Sequence, residues 1–559
     1  MQVYRGHFSS QAAESDQNLQ LESLGTFTVC IVGAGPSGFY CAKALLRQAR
    51  LHHQQIEIVL IDKLPTPFGL VRYGVAADKP EMKAAAHQLA AVAETPNVFF
   101  RGNVMLGRDV LLEELRALFD VVVLAMGAAD GVSLPVPGAT LSGVCTAHDL
   151  VLWFNGHPAM QGLEAHLGKA HCTKALVVGH GNVALDVARV LLKAAVDTPR
   201  TQPQAREKTD PSGVGIEGSD AAARSASSES LMHSPVPLWT TDINEAAYTW
   251  ARSRRFRWIR VIGRRGPAQA SFTNKELRAL LKEPSLLAVI DPKELEEGLN
   301  EASRTEIQEE AKGSATLHSD GSEQPGSIGS VLLQRNVLSG PAHAQKAVSA
   351  QHSQPGGVEE FPASLMVWSV GFKINASERL RPVPEPAAAA AVEGSGEAKK
   401  QPLPTKGLLS TVLPTCSRGL LLHTSGRVLP PHQEDAAVEE RGTNREKLGA
   451  LYVSGWFKGG PKGTIADSLI DAQQTAQQIF TDRMRSSEKT RESMSPSNSS
   501  DALAALDALL GSRGVQGVSF DGWKKIAFEE ETRGKAEGRT ARKVVCLKEM
   551  LRIAAGGKS

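Results

Sequence analysis

Two glycine-rich turns hold the residues of this sequence most suited to chemistry. The first, Gly33-Ala34-Gly35-Pro36-Ser37-Gly38, follows the apolar run Phe27 to Val32 and precedes a helix-like stretch, Phe39 to Arg47. A second apolar run, Ile56 to Ile61, ends in Asp62, 24 residues after Gly38. At this spacing Gly33 permits a tight turn, Gly35 lets backbone approach a pyrophosphate, and Gly38 lets helix pack closely on strand. The free amides and positive dipole end of the new helix attract phosphate oxygens. Asp62 lies where a carboxylate accepts hydrogen bonds from a ribose diol. A lone glycine turn is common, and Asp62 by itself also reads as a solvated strand end. Strand, turn, helix, second strand and acid in this order predict a dinucleotide site.

The theme recurs. Lys174 to Val178 is a strand-like run followed by Gly179-His180-Gly181-Asn182-Val183-Ala184, the form of the fingerprint that ends in alanine. The helix it opens continues through Leu192 with an apolar face. Further on, the run Arg257 to Gly263 leads into Arg264-Arg265-Gly266-Pro267, where an NAD site usually carries an acid. Paired guanidiniums suit a ribose 2′-phosphate, because each makes bidentate, charge-assisted bonds to phosphate oxygens. The competing reading is a basic cap on a solvated strand end, since Arg252, Arg254, Arg255, Arg257 and Arg260 crowd the same stretch. Two dinucleotide turns predict two dinucleotides, the arrangement of a flavoenzyme that also binds NADP.

The elements that position these turns come from a chain of 559 residues, 42% apolar and 22% charged, the balance of a soluble globular protein. A net charge of +2 gives no general field for polyanions, so no nucleic-acid partner is expected. Cys30, Cys41, Cys145, Cys172, Cys416 and Cys546 include no CxxC pair and no zinc-ligand spacing, so neither a dithiol centre nor a metal site is expected. No apolar run reaches the roughly 18–20 residues that span a bilayer, which leaves at most a peripheral membrane contact. The polar or low-complexity spans 1–25, 200–238, 311–329, 341–357, 381–403, 431–446 and 484–502 bury too little apolar surface to offset their ordering entropy. They read as a tail, insertions and linkers; about 400 residues remain, enough for two domains. Residues 1–13 carry one arginine, several hydroxyls and no acid, which fits a presequence remnant or an ordinary tail.

Longer strings narrow the reading. They are Pro67-Phe68-Gly69-Leu70-Val71-Arg72-Tyr73-Gly74-Val75-Ala76, then GHGNVALDVAR from Gly179 to Arg189 and GRRGP from Gly263 to Pro267. Phe272 to Arg278, Gly455-Trp456-Phe457-Lys458, Gly463-Thr464-Ile465 and Ser512 to Trp523 continue the series. Together they resemble the adrenodoxin-reductase-type ferredoxin–NADP reductases, from about residue 27 to 554. The resemblance implies an α/β fold of two Rossmann-like dinucleotide-binding domains, glutathione-reductase-like, with a discontinuous FAD-binding domain. It places that domain at 26–131 and 372–559, the NADP-binding domain at 132–371, and a tail at 1–25. Val121 to Ala125 and Leu365 to Gly371 would be the crossovers. It carries Ser37, Asp62, Leu70, Leu106, Trp456, Gly463, Thr464 and Ile465 over as FAD contacts. Gly181, Asn182, Val183, Arg264, Arg265, Glu276 and Gly463 carry over as NADP contacts. On pattern alone Ser37, Leu70 and Leu106 read as turn or core residues. Trp456 follows the strand-like run Leu451 to Ser454, and a core tryptophan at a strand end competes with a flavin neighbour.

The implied activity is FAD-dependent: a hydride from NADPH, then single electrons to an adrenodoxin-like [2Fe-2S] ferredoxin, in mitochondria as for the family's eukaryotic members. The protein's share of such chemistry is placement and electrostatics. Glu276 is implied to orient the nicotinamide carboxamide, although its local pattern favours an exposed helix residue. Lys79 stands where the family usually has histidine, a fixed charge in place of a titrating imidazole. Lys458-Gly459-Gly460-Pro461 lacks the family's arginine. The Arg252–Arg265 cluster and Arg278 are docking candidates for an acidic ferredoxin, with a solvated basic face as the competing reading. Glu294 to Glu310 is acid-rich where the family has a second basic docking segment. Two alternatives stay open. One is an NADPH-linked flavoprotein with another acceptor such as a quinone, disulfide reduction being disfavoured without a CxxC. The other is a degenerate, non-catalytic nucleotide-binding protein.

Overall fold

The computed structural model describes residues 26–168, 173–197, 237–263, 270–289, 330–335, 361–374, 380, 415–416, 420–429, 449–489 and 502–557. Arg264, Arg265 and the acid-rich stretch 294–310 lie outside them. The strands are β1 (Phe27–Val32), β2 (Ile56–Asp62), β3 (Val98–Gly102), β4 (Val121–Leu124), β5 (Asp130–Gly131), β6 (Val144–Thr146), β7 (Lys174–Val178) and β8 (Trp258–Ile262). They continue as β9 (Leu286–Val289), β10 (Ser330–Arg335), β11 (Leu365–Trp368), β12 (Phe372–Lys373), β13 (His423–Thr424), β14 (Arg427–Val428) and β15 (Ala450–Val453).

The first sheet has the order β13-β14-β15-β4-β1-β2-β3, parallel from β15 to β3. A parallel sheet is buried on both faces, and β1 is accordingly buried along its whole length. The helix Pro36–Leu51 covers one face, burying Phe39, Ala42, Leu45 and Ala49 at helical spacing. Against it packs the helix Ile465–Lys489, through Ala472, Ala476, Ile479 and Phe480. On the opposite face, Leu112 and Leu115 meet Leu506 and Leu510 of the helix Ala502–Ser512.

The second sheet has the order β6-β11-β7-β8-β10-β9, its first four strands parallel and β10 antiparallel to both neighbours. The helix Asn182–Val196 lies on it and buries Leu185, Ala188, Leu191 and Leu192. The chain leaves the first sheet after β4, builds the second, and returns; the short ribbon β5–β12 pairs the outgoing and incoming crossings. The fold is two Rossmann-like units, the first discontinuous in sequence.

The low-complexity reading fails at its edges. Leu238 is buried in the second core, and Met484 packs against the first in a helix that continues to Lys489. Single apolar side chains in polar flanks carry this packing, which composition averages away. The crossover strand β11 stops at Trp368 rather than Gly371, and the chain turns at Gly371, φ +114°, before β12. No helix among the described residues is long and apolar enough to cross a membrane.

Candidate active site

The first glycine turn is a cradle that side chains would fill. A Cβ on Gly38 would sit 2.0 Å from the Gly33 carbonyl oxygen, so strand and helix meet at glycine distance. At Gly35 the nearest atom to such a Cβ is the Gly69 Cα at 3.9 Å, which leaves the approach to the turn open. No side chain caps the helix that Gly35 opens, so the cradle presents main chain to an anion. Asp62 is held by the turn itself, Oδ2 accepting from the Ala34 amide at 2.9 Å and Oδ1 from the Leu64 amide at 3.0 Å.

Two later segments close on this turn. Leu70 lies in the short helix Gly69–Tyr73, and the loop that leads into it is tied to the turn by the Phe68 amide, which donates to the Ala34 carbonyl at 2.7 Å. Leu70 is half-buried, whereas Leu106 is buried in the core beside β2 and β4. Ser37 donates to the Ser454 hydroxyl at 3.1 Å, and a Cβ on Gly455 would lie 2.3 Å from the Ser37 oxygen. Trp456 opens a short helix and rests on Phe372, ring centres 5.4 Å apart. Gly463 and Thr464 lead into the helix beginning at Ile465, where the Thr464 amide donates to Asp467 at 2.5 Å.

The second turn repeats the first. Gly179 has φ +129°, and a Cβ there would lie 2.1 Å from the Ser369 carbonyl oxygen. Nothing lies within 4 Å of a Cβ on Gly181, and the helix it opens also lacks a side-chain cap. Asn182 is turned toward the start of the helix Asn274–Leu281, its Oδ1 accepting from the Thr273 amide at 2.8 Å. Val183 packs against the second core. Both turns therefore fit a diphosphate: in each, main chain closes on one glycine while another faces open space where the phosphate would lie.

A buried seam of alternating charge joins the two units. Asp78 and Lys79 come from a loop of the first unit whose Ala76 and Ala77 are embedded in the second core. Asp186, Arg189 and Lys193 line one face of the helix Asn182–Val196. Glu283 pairs with Lys193 at 3.1 Å, and Lys193 reaches Asp78 at 3.3 Å. Arg189 grips Asp78 through two bonds of 2.7 and 2.9 Å and meets Asp186 at 2.8 Å. Lys79 then donates to Asp186 at 2.7 Å and to Glu276. Glu276 is only 7% exposed, so it is not the solvated helix residue its local pattern favoured. Lys79 and Glu276, singled out separately, are direct partners.

Burial would raise the Asp78 carboxyl, but hydrogen bonds and charge from Arg189, with Lys193, bring it down to about 2. A carboxylate depressed in the folded state contributes stability above its unfolded value near 4, and that contribution is lost as pH falls toward 2. Urea unfolding at pH 5 and pH 2 should therefore show native protein losing about 2 kcal/mol more than Asp78→Asn. Parallel losses in the two proteins would mean that the Asp78 contact adds no acid-sensitive stability.

One further sequence expectation changes here. Arg254 is buried, stacked at 4.8 Å on the Trp250 ring and donating to the Leu167 carbonyl, so it is not part of an exposed basic face. Asp78, Asp186, Arg189 and Lys193 carry no role in the sequence reading, although Asp186 and Arg189 lie within the string GHGNVALDVAR. The i, i+3, i+7 spacing of the three helix residues is visible, but the loop residues they meet, Asp78 for Arg189 and Lys193 and Lys79 for Asp186, lie more than a hundred positions away. Cys41 and Cys145 are buried, and burial foremost pushes both thiols up to about 12, which leaves them unreactive.

Two open diphosphate cradles on Rossmann-like units, tied by a buried charged seam, define a flavin- and pyridine-nucleotide-dependent oxidoreductase. The family model of the pyridine nucleotide-disulphide oxidoreductases matches residues 27–202. The human mitochondrial NADPH:adrenodoxin oxidoreductase is 32% identical, over 94% of this chain and 91% of that protein. NADPH-ferredoxin reductase FprA of Mycobacterium tuberculosis is 30% identical over 95% of this chain and 99% of its own. The structure of FprA in complex with NADPH superposes with a TM-score of 0.62 at 28% identity, covering 95% of this chain and all of that one. The chain belongs to the NADPH:adrenodoxin oxidoreductase family, and its cofactors are FAD and NADP(H).

Proposed function

We propose that this NADPH-dependent flavoprotein delivers its electrons singly to an adrenodoxin-like [2Fe-2S] ferredoxin. The hydride step of this reading is supported by the contact of Lys79 with Glu276, which joins a loop of the first unit to the helix beside the second cradle. On this reading residues 26–131 and 372–559 form the FAD-binding domain, and 132–371 the NADP-binding domain. Gly33, Gly35, Ser37, Gly38, Asp62, Leu70, Leu106, Trp456, Gly463, Thr464 and Ile465 hold FAD. Gly179, Gly181, Asn182, Val183, Arg264, Arg265, Glu276 and Gly463 hold NADP.

When bound, FAD supplies the conversion of one hydride from NADPH into two single electrons, one for each of two oxidised ferredoxins, with release of a proton. The protein supplies position. Glu276, pinned by Lys79, orients the nicotinamide carboxamide, and the seam keeps the two cradles at a fixed spacing and excludes water. The relatives named as adrenodoxin and ferredoxin reductases support the acceptor. We also propose a mitochondrial location, supported by relatives named mitochondrial from Homo sapiens and Arabidopsis thaliana at 32% and 31% identity. The bacterial FprA, similar over 95% of this chain, indicates that the architecture itself does not require the organelle.

Purified protein is expected to be yellow, to bleach with NADPH far faster than with NADH, and to reduce cytochrome c only when a [2Fe-2S] ferredoxin is added. Bleaching without ferredoxin-dependent turnover would assign another acceptor, such as a quinone. Colourless protein would mean a retained fold without the activity.

A further inference from the structure

The chain's last segment does not stay on one unit. The helices Phe520–Ala536 and Leu547–Ala554 belong to the first, through Trp523, Ile526, Met550 and Ile553 in its core. Between them, residues 537–546 run along the second unit as a strap. The Thr540 amide donates to the Thr240 carbonyl at 2.8 Å, and Arg539 donates to the carbonyls of Thr241 and Ile243. Arg542 pairs with Glu245 at 2.9 Å, and Gln161 donates to the Val545 carbonyl.

Lys543 lies in the middle of this strap with its side chain 3% exposed. Its ammonium meets Asp242 at 2.9 Å and donates to the carbonyls of Arg72 at 3.0 Å and Asn155 at 3.1 Å. Asp242 and Asn155 belong to the second unit. Arg72 belongs to the short helix that carries Leu70, whose lead-in loop is tied to the first glycine turn. All three donors of one ammonium are thus spent on joining three segments remote in sequence.

Stability does not account for a lysine here. Lys83 also pairs with Asp242, at 2.7 Å, and Arg72 is already paired with Glu530 at 2.6 Å. The Tyr73 ring lies 5.7 Å from the Lys543 ammonium, with the uncharged face of His157 against that ring. Burial foremost, opposed by Asp242 and reinforced by Lys83 and Arg72, brings Lys543 down to about 7. A lysine depressed in the folded state costs stability in full below that value, and the cost fades only as pH rises toward the unfolded value. A methionine of similar length would be buried without that cost.

We propose that Lys543 is a positioning residue for hydride transfer: through the strap it fixes how the loop against the first cradle meets the unit that carries the second. The inference rests on hydride passing between the two cradles, as proposed above. Such a reaction needs its atoms about 3–3.5 Å apart, and a misplacement of about 1 Å costs on the order of 100-fold in rate. Each cradle alone still binds its own nucleotide when the strap loosens, so rate and binding part company.

The test uses FAD-loaded native protein and Lys543→Met, which leaves Asp242 paired with Lys83. With ferricyanide as acceptor, kcat is expected to fall about 10- to 100-fold, while the KM for NADPH stays within about twofold and FAD content and urea midpoint hold. Deuterium exchange of residues 240–245 should rise. Asp242→Asn, which strands the ammonium groups of Lys83 and Lys543, should show the same loss of kcat with KM held but a lowered urea midpoint, and the double variant should lose no more kcat than the worse single one. Unchanged kcat with raised exchange would reduce the strap to a brace and overturn the proposal, as would a KM that rises while kcat holds. Native protein that NADPH does not bleach would instead fail the functional reading, and that is settled before any variant is compared.

Discussion

Lys79→Met is expected to cost about 3–5 kcal/mol of folding stability, the range for removing one member of a buried ion pair. Glu276 would be left in a site 7% exposed without the ammonium that now meets it, while Asp186 keeps Arg189. If Glu276 orients the carboxamide as proposed above, flavin reduction by NADPH should slow by at least tenfold once Glu276 is unpinned. Lys79→Arg, which keeps a fixed charge, should lose less of both. The informative variant is Lys79→Met with Glu276→Gln. It removes the stranded charge, so urea unfolding should recover most of the stability, whereas stopped-flow flavin reduction should stay slow. Recovery of both would show the pair to be structural and would remove Glu276 from the nicotinamide site.

Arg264→Ala with Arg265→Ala is expected to raise the Kd for NADPH more than 100-fold and leave that for NADH within about threefold. Hydrogen bonds between charged partners contribute about 1.5–3 kcal/mol each, so loss of two guanidiniums amounts to about 3 kcal/mol or more. The two cofactors differ only at the ribose 2′ position, and the comparison therefore isolates the phosphate from every other contact. Titration of flavin-bound protein with each nucleotide reads both values. Equal weakening would make the pair a general basic cap at the end of β8.

What could be read along the chain is what local sequence encodes. Gly33, Gly38 and Gly179 sit in the turns expected of them where main chain leaves no room for a Cβ, and Gly35 and Gly181 sit at the open mouths of the same turns, a pattern written in adjacent residues. Asp62 ends β2, where its carboxylate accepts from the Ala34 and Leu64 amides. The seam was not legible in that way. Arg189 and Asp78 are 111 positions apart, and Lys79 and Glu276 are 197 apart, so no periodicity connects them. Glu276 illustrates the limit: its neighbours Lys275 and Arg278 suggest a solvated helix, and only the loop inserted from the other unit buries it. The Arg252–Arg265 cluster misled in the opposite direction, since Arg254 is charged yet packed against an indole.

The position of β15 bears on how the molecule is made. It lies next to β4 in the first sheet, yet β4 ends at Leu124 and β15 begins at Ala450. During translation the second unit emerges whole while the first still lacks an inner strand and the helix Ile465–Lys489. The inserted unit can fold on the ribosome, but the outer one must wait for the end of synthesis with the β4 edge unpaired. A chain cut short after residue 440 would keep one sound Rossmann unit and display a bare sheet edge, the kind of product that quality-control proteases and aggregation remove.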